Sequence, residues 1–226
     1  MFDIFIALVS FFQKSYYKLR YPFISIRGRM FLSRIHVCSH SSVVITGDLF
    51  RTDIFIIGND NKIQIDGKMQ NCQLTIDGSD SKVCVGSQTT VSNYSFLIRS
   101  QGCSIEVGRS VKMLGGSIVC QGRGNYVKVG NGCLFSHEVE LWNSDTHTIF
   151  DCDGAIVNRN EPIIIEDRVW CGKGVKVLKG VRIGADSVIG MSSVVSKSVP
   201  NGSIAAGVPA RVVRSGVSWS SSLLLD

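Results

Sequence analysis

The chain has 226 residues, 44% of them apolar, with 24 Lys and Arg against 18 Asp and Glu for a formal charge of +6. That length supports one domain with a sizeable core. The basic residues are scattered and no nucleic-acid motif is present, which excludes a nucleic-acid reader; the positive balance is either an ordinary charged surface or an attraction to an anionic partner. The eight cysteines include no CxxC, so no zinc ligand set is expected and no metal is invoked.

Residues 1–13, MFDIFIALVSFFQ, are very apolar but too few for a membrane span. Lys14, Lys18 and Arg20 follow among Tyr16, Tyr17 and Tyr21, and Pro22 ends the segment. The pattern predicts a helix that either packs on the next element or a neighbouring subunit, or lies on a membrane surface through residues 1–21. Residues 25–33, with Arg27 and Arg29, read as a basic linker, so 1–34 is assigned to helix and linker.

From about Ile35, short apolar doublets recur at Val43, Ile63, Val83, Ile105 and Val127, in steps of 20 to 22 residues. A second series, starting at Ile54, Leu74, Phe96, Ile118 and Val139, fills the gaps, and glycine often follows a doublet as a turn signal. Such a period predicts a solenoid of short strands over residues 35–200. Phe50, Phe55 and Phe96 are large for inward positions. Cys72, Cys84 and Cys171 lie in strand-like runs and read as small buried apolar residues.

The next step, from Val127 to Ile163, is longer by about one coil. Residues 142–160, WNSDTHTIFDCDGAIVNRN, hold no sustained period and read as a loop leaving the solenoid, where binding and chemistry concentrate. After it, Ile163 to Val199 divides into hexads whose third places are Ile165, Cys171, Val177, Ile183, Ile189 and Val195. Residues 201–226 form turns and a serine-rich tail.

Four histidines occur, at 36, 40, 137 and 147. His147 lies in the loop, where an imidazole, titrating near neutrality, suits removal of a proton from an attacking hydroxyl. A carboxylate on its second nitrogen would orient it, and Asp145, Asp151 and Asp153 are close in sequence. Asn143 either holds an acceptor or shapes the loop. Trp142 either stacks on a bound ligand or closes the loop base, and His137 reads as structural.

The hexads, the Asp145-Thr146-His147 segment, Trp170-Cys171-Gly172 and Gly207-Val208-Pro209-Ala210-Arg211 together resemble the hexapeptide-repeat acyltransferases. The resemblance implies an all-β left-handed parallel β-helix and a homotrimer with sites at subunit junctions. It implies acetyl-CoA as donor and a sugar or polysaccharide hydroxyl as acceptor, with His147 as base and Asp145 as its partner. Trp142 and Asn143 would meet the acceptor. Trp170, Gly172, Gly174, Lys179, Gly190 and Arg211 would line the donor groove, the basic ones meeting phosphates. The function expected is O-acetyl transfer to a surface polysaccharide or its precursor. The alternatives are N-acetyl transfer to an amino sugar and a non-catalytic assembly module; a covalent route through Cys152 is the mechanistic alternative. Without a cleavable signal pattern, the cytoplasm is expected, at the membrane's inner face if the helix binds lipid.

Overall fold

A computed structural model describes residues 2–38 and 40–222. The side chains of 2–5 and 18–20, and residues 223–226, are outside that description, so the expectations resting on Lys18, Arg20 and the terminal leucine run lie outside the described residues.

The N-terminal helix, α1, spans Phe2–Arg20. Residues spaced by three, four or seven positions share a helix face, and here Ser10, Gln13, Lys14 and Tyr17 turn toward the solenoid end. The Ser10 hydroxyl accepts from the Met30 amide at 2.9 Å, and the Tyr17 hydroxyl from the Ile35 amide at 2.8 Å. Gln13 and Lys14 donate to the carbonyls of Ser33 and Arg27. Packing on the next element is therefore present, while Leu8, Phe11, Phe12 and Tyr16 remain exposed on α1.

Among the described residues the rest is a solenoid of three faces of eight, ten and eight strands, in which each of eight coils contributes one short parallel strand to each face and the second face adds Ser203–Gly207 and the antiparallel Ala210–Ser215. The sequence period is the register itself. On the first face Val43 pairs with Ile63, Ile63 with Val83, Val83 with Ile105, Ile105 with Val127 and Val127 with Ile163. In the last coils Ile165, Cys171 and Val177 lie over Ile183, Ile189 and Val195. All six are buried. Alternate residues point inward, so one apolar row per face fills the core.

Three expectations are corrected. The solenoid begins at Ile24, not near Ile35: Ile24–Ile26 pairs with Val43–Ile45, and Met30–Phe31 with Leu49–Phe50. Arg27 and Arg29 suggested a linker because they sit on the outside of a corner whose inward residues are Ile24 and Met30. Gly28 makes that corner, since a side-chain carbon there would come within 1.6 Å of the Gly47 carbonyl oxygen. The second apolar series also slips at its end, because Leu141, rather than Val139, pairs with Ile118. Finally, Cys84 faces outward and is half-buried.

Of the three large aromatics, only Phe96 points inward. Phe55 stacks on His36 outside the wall, with ring centroids 4.9 Å apart, and Phe50 lies beneath the cations of Arg29 and Lys68. Cys72 is buried, but as part of a ladder of small polar groups along one corner. Ser33, Thr52 and Cys72 each donate to the backbone carbonyl two residues earlier, and Ser33 and Thr52 each accept from the next coil's amide. Such bonds satisfy backbone groups that the corners would otherwise bury unpaired. Cys171 is the buried apolar residue expected, and burial pushes its thiol well up. Past residue 200, where turns and a tail were expected, Ser203–Gly207 instead continues the second face beside Val188–Ile189 and turns back into the antiparallel strand Ala210–Ser215. Among the described residues no helix is long and apolar enough to cross a membrane.

Candidate active site

The third-face strand Val139–Trp142 belongs to the sixth coil. The chain leaves the wall after it and returns at Ile163, on the first face. Asn143 is the hinge of the exit. It is fully buried, its amide oxygen accepts from the Gln121 amide at 2.8 Å, and its amide nitrogen donates to the Gln121 carbonyl at 3.0 Å. Its backbone carbonyl accepts from Glu161 on the return leg. Of the two roles open to Asn143, this geometry supplies loop shaping. Trp142 stays 38% exposed, and its indole nitrogen donates to Ser117.

The Ser144 hydroxyl accepts from the Thr146 amide at 2.9 Å. Thr146 adopts φ +63°, a left-handed conformation disfavoured for a β-branched residue. That twist folds the chain back, and the His147 amide donates to the Asp145 carbonyl at 2.7 Å. Asn158 clamps the turn from the other strand of the loop. Its amide nitrogen donates to the Asp145 carboxylate at 3.0 Å and to the His147 carbonyl at 2.8 Å, and its oxygen accepts from the Ile149 amide. The outer part of the loop is a small hairpin, bridged at Phe150 and Ile156. The Asp151 carboxylate is used in its turn, where it accepts from the amides of Asp153 and Ala155.

The Asp145 carboxylate is ion-paired with Lys179. The Lys179 ammonium, and after it the Asn158 amide, hold that carboxyl below its ordinary value of 3.8. Among the described residues the imidazole of His147 has no hydrogen-bond partner, and it is exposed. Asp145 therefore shapes the backbone around His147, while its carboxylate is engaged elsewhere.

His147 opens onto a groove of about 350 Å³ between the solenoid corner at 121–125 and the return leg of the loop. Gly122 makes the groove close. It has φ +98°, and a side-chain carbon there would lie 2.8 Å from the side chain of Asn160. The lining includes Gln121, Arg123, Asn125, Asn158, Arg159 and Asn160. None of these six was singled out in the sequence, although three lie in the polar run 158–160 of the loop. The signal was there in composition, but only the fold sets 121–125 opposite it. A larger groove of about 620 Å³ on the first face shares no lining residue with this one.

The expected donor residues lie on other surfaces. Trp170 and Cys171 form a second-face strand, with Gly172 directly after it and Gly190 at the matching place one coil later. The Gly174 amide donates to the carbonyl of His137, which is otherwise exposed. Trp170 is 39% exposed and packs against Trp219, ring centroids 5.9 Å apart. Arg211 is exposed on the antiparallel strand. Lys179 stands apart from this group, at the root of the loop. Among the described residues no cluster could hold a metal ion.

No family model matches the chain. It is 31% identical over 125 residues to a polysialic acid O-acetyltransferase of Escherichia coli O1:K1 / APEC, covering 55% of this chain and 40% of that protein. It is 41% identical over 87 residues to a galactoside O-acetyltransferase of Lactococcus lactis, covering 38% and 42%. The chain thus spans about two fifths of the length of these curated relatives. Among solved structures, that of a polySia-specific acetyltransferase, NeuO, superposes with a TM-score of 0.73 at 26% identity, over 89% of this chain and 90% of the other. The solenoid is accordingly the left-handed parallel β-helix of those acetyltransferase structures.

Proposed function

We infer that this chain, a member of the hexapeptide-repeat acyltransferase family, moves an acetyl group from acetyl-CoA to a hydroxyl of a surface polysaccharide or its precursor. The observation that carries this reading is His147, an imidazole with no hydrogen-bond partner among the described residues, on a clamped loop facing a polar groove large enough for a sugar. The names of the relatives, sugar O-acetyltransferases, support the reaction class.

In the reaction, the acceptor hydroxyl enters the groove and His147 takes its proton as the oxygen attacks the thioester carbonyl. The new C–O bond forms, the C–S bond breaks, and the imidazolium returns the proton to the departing thiolate. A fixed turn around His147 contributes by holding base and hydroxyl together before reaction. Asp145 acts on this turn through its backbone and through Lys179.

We read the active unit as a homotrimer. Support comes from the placement of the parts: the His147 loop leaves the corner between the third and first faces, while Trp170, Gly172 and Gly190 belong to the second face. One chain holds each half of a site on a different surface. A neighbour brings its donor surface, with Trp170, Gly172, Gly174, Gly190 and Arg211, against this loop. Lys179 keeps Asp145 in place from its own chain. We place the enzyme in the cytoplasm at the membrane's inner face, with the exposed side of α1 as its contact.

The test is transfer from acetyl-CoA to acceptor oligosaccharides, with thiol release followed alongside product mass. His147→Ala should cut turnover by about 10²–10⁴ and leave acetyl-CoA binding in place. The product should lose its acetyl group in mild alkali, as an ester does and an amide does not. Normal turnover by the His147→Ala protein overturns the reading, and an alkali-stable product moves it to N-acetyl transfer.

A further inference from the structure

The groove beside His147 has an uneven charge. Arg123 enters from the solenoid corner and Arg159 from the return leg of the loop, so the two guanidinium groups come from opposite walls. No Asp or Glu is among the described residues that line it. Asp145, the nearest acid in sequence to His147, is not in the lining, and its charge is already matched by Lys179. Among the described residues neither arginine has an ion pair, whereas Lys173, Lys176, Lys179 and Arg182 on the neighbouring coils are each matched to an acid.

Arg159 is also held at a set place. The residue before it, Asn158, is fixed by three hydrogen bonds to the His147 turn, and the residue after it, Asn160, lies against Gly122. Guanidinium groups on the two walls both attract an anion placed between them. A planar guanidinium also matches the paired oxygens of a carboxylate or phosphate.

From this arrangement we propose that the acceptor is an anionic sugar, its carboxylate or phosphate held between Arg123 and Arg159 while a hydroxyl of the same unit meets His147. The proposal rests on the acetyl-transfer reading above and names its substrate class. The donor's own phosphates are the other source of negative charge. They are a poorer match, because the extended pantetheine arm separates them from the thioester that must reach His147.

The experiment compares three acceptors at saturating acetyl-CoA: an oligosaccharide of a carboxylated sugar, the same oligosaccharide with its carboxyl groups reduced to alcohols, and a phosphorylated oligosaccharide. One of the two anionic acceptors should exceed the reduced one in kcat/KM by about tenfold or more, the scale of one hydrogen bond to a charged group. Arg123→Gln and Arg159→Gln should each raise KM for that anionic acceptor about tenfold, with kcat and the KM for acetyl-CoA held. The reduced acceptor should not respond to either change. Equal use of charged and reduced acceptors overturns the proposal. So does a rise in KM for acetyl-CoA in the arginine variants, which would assign the pair to the donor. A binding measurement on the His147→Ala protein keeps the two readings apart. Binding of the anionic oligosaccharide, lost on adding Arg123→Gln, supports this proposal even without turnover. No binding there, with transfer to neutral sugars intact in the native protein, removes it and leaves the acetyltransferase standing.

Discussion

Lys179 grips Asp145 across 34 residues of sequence, so the coil that follows the loop holds the loop by its root. The register explains the meeting. Trp142 pairs with Leu178, which sets the exit of the loop beside the next residue of the next coil.

The pair is partly exposed, Lys179 at 20% and Asp145 at 41% of the side chain. Its worth to global stability is accordingly small, about 1 kcal/mol or less. Its worth to the proposed reaction is larger, since misplacing a reacting group by about 1 Å costs up to about 10² in rate. Lys179→Ala should lower kcat by about tenfold or more on that scale, with little change in Tm, and Asp145→Asn should do the same. The double variant should be no worse than either single one, because both remove one contact. Asp145 has a depressed pKa, so the contact is whole above the ordinary 3.8 and is lost as pH falls through the lower folded value. Limited proteolysis of the loop should therefore rise only on the acid side, and Asp145→Asn should show the fast rate at all pH values.

Gly122 gives a second, sharper test of the groove. Gly122→Ala demands a side chain at φ +98° and places it 2.8 Å from Asn160. The corner itself is held by other bonds, among them the Gly122 amide to Ser100 at 3.0 Å. The return leg should give way before the corner does. The expected outcome is a raised acceptor KM and a lowered kcat in steady-state kinetics, with the solenoid's circular dichroism unchanged. Native kinetics in this variant would mean that Asn160 does not form the wall.

The two ends of the solenoid show why some of this was legible in sequence. The hexads from Ile163 to Val199 could be read because each coil there has no insertion, so the inward row repeats at a fixed interval. Ile24 and Met30 obey the same rule, but Arg27 and Arg29 stand between them on an outer corner, and charge density masked the period. At the site, His147 and Asp145 were visible as chemistry-bearing residues in an aperiodic loop. The partner of Asp145 was not, because Lys179 reaches it through the register between coils, which no local pattern displays. Arg123 was hidden for the same reason, lying a full coil before the loop it faces.

The exposed side of α1 predicts a behaviour of its own. In the sequence, residues 1–34 carry six Lys and Arg and one Asp, a net of +5, of which Arg29 and Arg34 are matched by Asp48 and Asp53 in ion pairs. Leu8, Phe11, Phe12 and Tyr16 are exposed on the helix, and Phe23 and Leu32 beside it on the first coil. Apolar side chains joined to excess positive charge suit the surface of an anionic bilayer. The intact protein should sediment with vesicles containing phosphatidylglycerol and much less with phosphatidylcholine alone. Phe11→Ser with Phe12→Ser should weaken that binding, and Arg27→Glu should lower it by about fivefold or more for the lost charge. Transfer to a soluble acceptor should stay native in each. Indifference to lipid charge, or a changed oligomer mass in the serine variant, would assign this face to contacts between chains.

The shared site makes the most demanding prediction. His147 leaves the corner between the third and first faces, and Trp170 lies on the second; in the proposed trimer a neighbour supplies the donor wall that faces each His147 loop. Two inactive proteins should then rescue each other. One carries His147→Ala with an intact donor surface. The other keeps His147 but carries Trp170→Ala and Arg211→Glu, both at exposed positions, so that its donor surface fails while its solenoid stands. After dissociation and random reassembly from equal amounts, each junction draws its loop and its donor surface independently. About a quarter of junctions in a cyclic trimer receive two sound halves, and turnover should recover to about that fraction of the native rate. Unmixed samples taken through the same procedure should stay inactive. If the mixture is as dead as its components while native protein survives the procedure, or if light scattering shows an active monomer, His147 and the donor surface serve within one chain and the junction model is wrong.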